Sequence, residues 1–260
     1  MISTSARKKK ESLRPWAVCV WFAIWQGGGM ALEAIYPHGA LLLATPLSAA
    51  RRLWELLPEA GFWDAVFHST ARIFGGFLFS CALGTALAAL AAANRRFREF
   101  LAPAVAAVKA VPVASFIILA LVWLDADGLS FFIAALMVFP PVYLNVLEGI
   151  LQINHQLLEM AEVFRAPFLR RLWGIGLPQV LPYFRSAASL ALGLCWKAGA
   201  AAEVIGLPGG SIGERLYNAK VYLRTPDLFA WTAVIVALSA ALEKGFLAAV
   251  DYAAGKAGCK

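Results

Sequence analysis

Charge is scarce in this sequence: 15% of its 260 residues are Asp, Glu, Lys or Arg, while 61% are apolar. Soluble domains use about 25% charged and 45–50% apolar residues, so there is too little polar surface to coat a water-soluble globule. Histidine is scarcer still. His38, His68 and His155 stand singly, with no acid or thiol at ligand spacing, and no metal site is expected. The four cysteines follow no pairing or chelating pattern; Cys19, Cys81 and Cys195 sit in apolar runs as small apolar residues, and Cys259 lies in the tail. Neither paired acids nor a nucleophile beside a base is present, so no catalytic residue is expected and an intramembrane enzyme lacks its constellation. No G-x-x-x-x-G-K-[ST] pattern occurs; Gly255-Lys256-Ala257 comes nearest, without the loop or the hydroxyl, so no nucleotide cofactor is expected on this chain. An internal repeat, common in secondary transporters, is also missing.

Long hydrophobic runs are what the sequence has instead. About 20 apolar residues cross roughly 30 Å of hydrocarbon as a helix, and six runs meet that length: 16–35, 73–93, 101–124, 129–147, 180–204 and 228–250. They predict an all-α integral membrane protein of about six transmembrane helices in a single domain, 16–250. The first run follows Arg7, Lys8, Lys9, Lys10 and Arg14 and reads as an uncleaved span, since more membrane follows it. In the second, Gly76, Ser80, Gly84, Ala88 and Ala92 recur every four residues, a small-residue stripe that admits another helix closely. Lys109 and Pro112 interrupt the third, Pro140-Pro141 is expected to kink the fourth, and Glu243 and Lys244 near the end of the sixth are expected to snorkel to the interface. Between the first two runs, residues 36–69 include an amphipathic stretch, Leu47 to Leu57, suited to lying on the surface.

The net charge of +7 is spread over short connectors instead of one basic stripe, which excludes nucleic acid as the expected partner. Thirteen Lys and Arg residues fall in 1–15, 94–100, 151–178 and 251–260, against five in the alternate connectors 36–69 and 205–227. The positive-inside rule then puts the basic N-terminus (1–15) and the tail (251–260) in the cytoplasm, and makes 151–178 a long cytoplasmic loop. Within it, Leu157, Ala161, Phe164, Phe168 and Leu172 recur at spacings of three and four, with Glu159, Glu162 and Arg165 on another face. Periodicity alone fits equally a helix lying on the bilayer and one docking on a protein.

The same loop resembles the EAA loop of ABC importer permeases, whose pattern is EAA, three residues, Gly, nine residues, Ile, one residue, Leu-Pro. Here Glu159-Met160-Ala161, Arg165, Ile175 and Leu177-Pro178 keep every spacing, with Met160 for Ala and Arg165 for Gly. Arg is uncommon at the positive φ that Gly supplies, so Ala166-Pro167 is expected to make the turn by another route. Further stretches are similar to the nitrate, sulfonate and taurine type permeases: Ala44-Thr45-Pro46-Leu47, Ser69-Thr70-Ala71-Arg72 through Gly76-Phe77, Pro103 with Lys109-Ala110-Val111-Pro112, Phe139-Pro140-Pro141, and Ala201-Ala202-Glu203-Val204-Ile205-Gly206.

The resemblance implies a type I ABC importer permease in the bacterial inner membrane, working as two copies, or two similar chains, with a cytoplasmic ABC ATPase dimer, which carries the ATP and Mg, and with an extracytoplasmic solute-binding protein. It implies a coupling helix over 157–173, with Glu159, Met160, Ala161, Glu162, Phe164, Arg165, Ala166 and Pro178 as ATPase-coupling residues. Charges at bilayer depth cost roughly 2.5–3.5 kcal/mol unless paired or wet, which makes Lys109, Lys197 and Glu203 translocation-path candidates; structural ion pairing is the alternative. An anion such as nitrate, a sulfonate or taurine is the expected solute, with an uncharged or cationic nutrient such as a thiamine-type pyrimidine, or a secondary transporter, as the alternatives. Trp123, Trp196 and Trp231 are expected to serve packing or the interface.

Overall fold

The structure, a computed structural model, describes residues 14–256; the basic residues 7–10 and Cys259 lie outside the described residues. Among the described residues the chain is helical, without a strand. Helix α1 (Pro15–Ile35) opens on a proline, whose missing N–H is unneeded in a first turn. It lies along the outside, where Trp25 Nε1 donates to the Ala44 carbonyl at 2.9 Å. After the short α2 (Gly39–Leu42), α3 (Pro46–Leu56) is started by Thr45, whose hydroxyl accepts from the Ser48 N–H at 3.2 Å.

Helix α4 (Ala60–Ala93) starts well before the apolar run at 73. Asp64, His68 and Arg72 make residues 60–72 look like a connector, but Phe62, Ala65 and Ser69 are buried at helical spacing and packing carries the helix onward. Asn94 then caps α5 (Arg95–Ala110), accepting from the Arg96 and Phe97 N–H groups at 3.0 and 3.3 Å. The run 101–124, expected as one span, is an elbow: α5 meets α6 (Val113–Ala120) at 103°. Pro112 forces Val111 into an extended conformation and brings no N–H to continue the ladder. By contrast α7 (Ala126–Leu151) continues as one helix through Pro140-Pro141, where the Asn145 side-chain amide donates to the Pro141 carbonyl at 2.8 Å.

Two short helices, α8 (His155–Val163) and α9 (Phe168–Arg171), and a wide π turn (Leu172–Gly176) lead into α10 (Leu177–Gly206). Helices α11 (Ile212–Val221) and α12 (Thr225–Lys256) close the chain. Five segments are long and apolar enough to cross a membrane (α1, α4, α7, residues 168–206 and α12), and the elbow makes six when counted as one span.

The centre is α4, α7 and α10. Gly76 lies against Phe131 and Ala134, Gly84 against Val142, so α4 and α7 run the same way; Gly149 against Tyr183 and Gly206 against Leu129 set α10 antiparallel. The small-residue stripe is the α4–α7 seam: a Cβ on Gly76 would overlap the Phe131 carbonyl oxygen, and Ser80 Oγ donates to the Ala135 carbonyl at 2.8 Å. Such contacts matter most in lipid, where dispersion and hydrogen bonds replace the hydrophobic drive. Trp196 and Trp231 are core residues, whereas Trp123 is exposed. Glu243 accepts a 2.6 Å hydrogen bond from Ser189 Oγ, joining α12 to α10.

Candidate functional site

At one end of the bundle, between α7 and α10, the chain makes an exposed turn. Asn154 starts α8 by accepting from the Gln156 N–H at 2.9 Å. The helix ends at Phe164, and Arg165 takes the left-handed conformation, φ 51°. Its N–H bonds the Glu162 carbonyl at 2.8 Å and the Ala166 N–H bonds the Ala161 carbonyl at 2.9 Å, the paired closure of a Schellman motif. The turn is therefore made at Arg165 itself, not by Ala166-Pro167; the two carbonyls it satisfies offset the strain of a side chain at positive φ. Pro167 then bars the helix from resuming in register and α9 starts in a new direction.

This break divides the periodic set read from the sequence. Ala161 is buried, while Leu157, Phe164, Phe168 and Leu172 are exposed, Phe164 at 77% and Phe168 at 68%. Val163 (80%) and Met160 (50%) join them in an apolar surface left uncovered by the described residues. Glu159 and Glu162 are exposed beside it and make no ion pair among the described residues. The base is anchored: Gln179 Oε1 accepts from the Asn154 N–H at 2.9 Å, and the Tyr183 hydroxyl donates to Gln152 Oε1 at 2.8 Å. Pro178, in the first turn of α10, stands where no N–H is needed. These bonds tie the base of the turn to α7 and α10, two of the three central helices.

A groove runs along α5, α7 and α10. It consists of two cavities of about 420 and 310 Å³ that share Lys109 and Leu144. The first is also lined by Pro140, Pro141, Asn145, Leu190 and Leu194, the second by Arg98 and Tyr143. Exposed Lys197 lies three residues beyond Leu194, hence on the same face of α10. Arg98, Lys109 and Lys197 form no ion pair among the described residues.

Glu203 sits elsewhere. It is 0% exposed, and its Oε2 accepts from Ser69 Oγ at 2.7 Å and from the Gly213 N–H at 3.1 Å; Ser69 Oγ in turn accepts from the Ile212 N–H at 2.9 Å. Its cationic neighbour is Arg72, paired with Asp127 at 2.6 Å, and not Lys197. One carboxylate thereby holds α4, α10 and the start of α11 together.

Arg98 and Asn145 were not singled out from the sequence, and Ser69 and Arg72 entered only as part of a family-like stretch, without a role. Arg98 had a signal, because 98, 102, 105 and 109 are one face of a helix; the apolar run starting at 101 cut it off.

Comparison with known proteins bears on this geometry. Residues 83–251 match the family model described as binding-protein-dependent transport system inner membrane component. The chain is 29% identical over 213 residues to the putative aliphatic sulfonates transport permease protein SsuC of Bacillus subtilis, covering 81% of this chain and 75% of that protein. It is 26% identical to the taurine transport system permease protein TauC of Escherichia coli (88% and 82% covered) and 27% identical to the riboflavin transport system permease protein RibX of Chloroflexus aurantiacus (88% and 84%).

Proposed function

The chain belongs to the family of binding-protein-dependent transport system inner membrane components and is the permease subunit of an ABC importer; from there we propose that it carries a small oxyanion, such as a sulfonate or taurine, along the groove of Arg98, Lys109 and Lys197. The substrate reading rests on Arg98 and Lys109, which line the groove beside Asn145, Tyr143 and apolar side chains, and on Lys197 one turn along α10 from Leu194; none of the three makes an ion pair among the described residues. An anion would replace the water they lose there. Because the groove is open on one side, a second copy of the chain completes it. Glu203 acts as an outer gate post, since its bonds tie α10 to α4 and α11.

The turn between α8 and α9 is the coupling element. Its bare apolar side chains, Val163, Phe164 and Phe168, fit a groove on a cytoplasmic ABC ATPase dimer, with Glu159 and Glu162 beside them. ATP and Mg act on that partner, and closure of its two copies moves α7 and α10 through the anchored base. Both termini then face the cytoplasm and α11 faces an extracytoplasmic binding protein. Only contacts that differ between the two states can transmit the change.

The test is co-purification of the tagged chain with its ATPase, and labelled sulfonate uptake by the assembled complex, with and without Glu159→Lys. Loss of the ATPase, or ATP hydrolysis without uptake, in the variant supports the coupling turn. Full uptake in Glu159→Lys would remove it. Unchanged uptake of a neutral solute in Lys109→Gln would move the substrate to an uncharged nutrient.

A further inference from the structure

At the end of the bundle opposite the α8–α9 turn, α3, the start of α4, α11 and the start of α12 enclose a separate cavity of about 370 Å³. Its floor is apolar: Leu56, Phe62 and Trp231 are buried, and the Phe62 and Trp231 rings stack at 5.0 Å. Three guanidinium groups, of Arg52, Arg215 and Arg224, converge on it from three elements, with Asn218 and Tyr222 between them.

Two carboxylates, Glu59 and Asp227, also line the cavity. Asp227 pairs with Arg52, which also holds Glu55 at 3.2 Å, so that arginine is neutralised, while Glu59 makes no ion pair among the described residues. Arg215 and Arg224 make no ion pair among the described residues. Arg224 is held in position from both sides: its guanidinium lies 5.6 Å from the Tyr222 ring centre, and its N–H bonds the Ala219 carbonyl at 2.8 Å across a left-handed Leu223 (φ 53°). The α11–α12 connection is thus bent so that an unneutralised arginine stands at the mouth of a cavity with a second one on its wall.

Guanidinium forks match the oxygens of phosphate and sulfonate, and such charge-assisted bonds strengthen beside low-dielectric walls. The volume is that of a small-molecule site. We propose that this cavity binds an oxyanion, a phosphate or sulfonate group, through Arg215 and Arg224, at a site distinct from the Lys109 groove. The group comes either from an anionic lipid head or from a free solute. The site does not depend on the transport reading or on which end of the bundle faces the cytoplasm.

The test uses the full chain in nanodiscs of phosphatidylcholine, with thermal unfolding as the readout. Three probes are compared at matched ionic strength: phosphatidylglycerol in the disc, free inorganic phosphate, and free methanesulfonate. Wild type and the control Lys220→Gln, whose lysine is exposed on α11 but off the cavity, should rise by about 2–4 °C with a bound probe. The double variant Arg215→Gln/Arg224→Gln should lose at least half of that rise; neither side chain makes an ion pair among the described residues, so no carboxylate is orphaned, and the unfolding temperature without any probe reads the cost of losing the Arg224–Tyr222 contact separately. A rise with phosphatidylglycerol alone identifies a lipid head group as the source, and a rise with the free anions a solute. An undiminished rise in the double variant, or no rise in wild type with any probe, overturns the proposal.

Discussion

The Ser69 hydroxyl donates to the Glu203 carboxylate at 2.7 Å across 134 residues of sequence, in a site closed to solvent. The pair is a clamp, because the same hydroxyl accepts the Ile212 N–H and the same carboxylate oxygen the Gly213 N–H.

Ser69→Ala removes both bonds of the hydroxyl, orphaning the Ile212 N–H and leaving a buried carboxylate under-satisfied, so a loss of about 1–3 kcal/mol is expected. Glu203→Ala orphans the hydroxyl and a backbone donor together and is expected to cost more, while Glu203→Gln keeps an acceptor and costs less. Thermal unfolding of the purified chain in detergent ranks the three; equal costs for Ala and Gln at 203 would contradict the clamp.

Arg165 holds a conformation suited to glycine. Arg165→Gly is expected to stabilise the α8–α9 turn by about 1 kcal/mol, and the β-branched Arg165→Val to loosen it by a similar amount. Amide hydrogen exchange at Arg165 and Ala166, whose N–H groups close the turn, reports both changes. Slower exchange in the glycine variant and faster in the valine variant is the expected order.

Along the groove, Lys109→Gln and Arg98→Gln each are expected to cut sulfonate uptake about tenfold, the effect of one removed favourable charge. ATP hydrolysis by the assembled complex should change little, since neither residue lies on the α8–α9 turn. Uptake measured at rising salt should narrow the gap between variant and wild type.

Two glycines at helix crossings meet neighbours that do not yield. An added Cβ at Gly76 meets the Phe131 carbonyl, and at Gly199 it meets the fully buried, β-branched Ile73 side chain, 2.6 Å from Cγ1. Gly76→Ala and Gly199→Ala are each expected to cost about 2–3 kcal/mol, because neither a helix backbone nor a packed β-branched side chain can step aside. Chemical unfolding of both variants tests this; a loss under about 0.5 kcal/mol in either would contradict it.

Much of the architecture was legible because membrane helices announce themselves by composition. The runs at 16–35, 129–147, 180–204 and 228–250 fall inside α1, α7, α10 and α12. What misled was local. Asp64, His68 and Arg72 disguised the first turns of α4, although packing at Phe62, Ala65 and Ser69 outweighs them. The spacing of Leu157 to Leu172 was visible, but a periodic pattern cannot report that Arg165 would accept strain in exchange for two capped carbonyls. Nor can any window of sequence reveal Glu203's partners, which come from another helix.

The elbow at Val111-Pro112 says where oil stops. The last carbonyls of α5 have no partner in their own helix and Pro112 supplies none, so hydrocarbon cannot be their solvent. Lys109 sits on the same turn. Backbone and side chain thus make the same demand on this turn of an otherwise greasy surface: it must face water or another polypeptide, and lipid tails are shut out there.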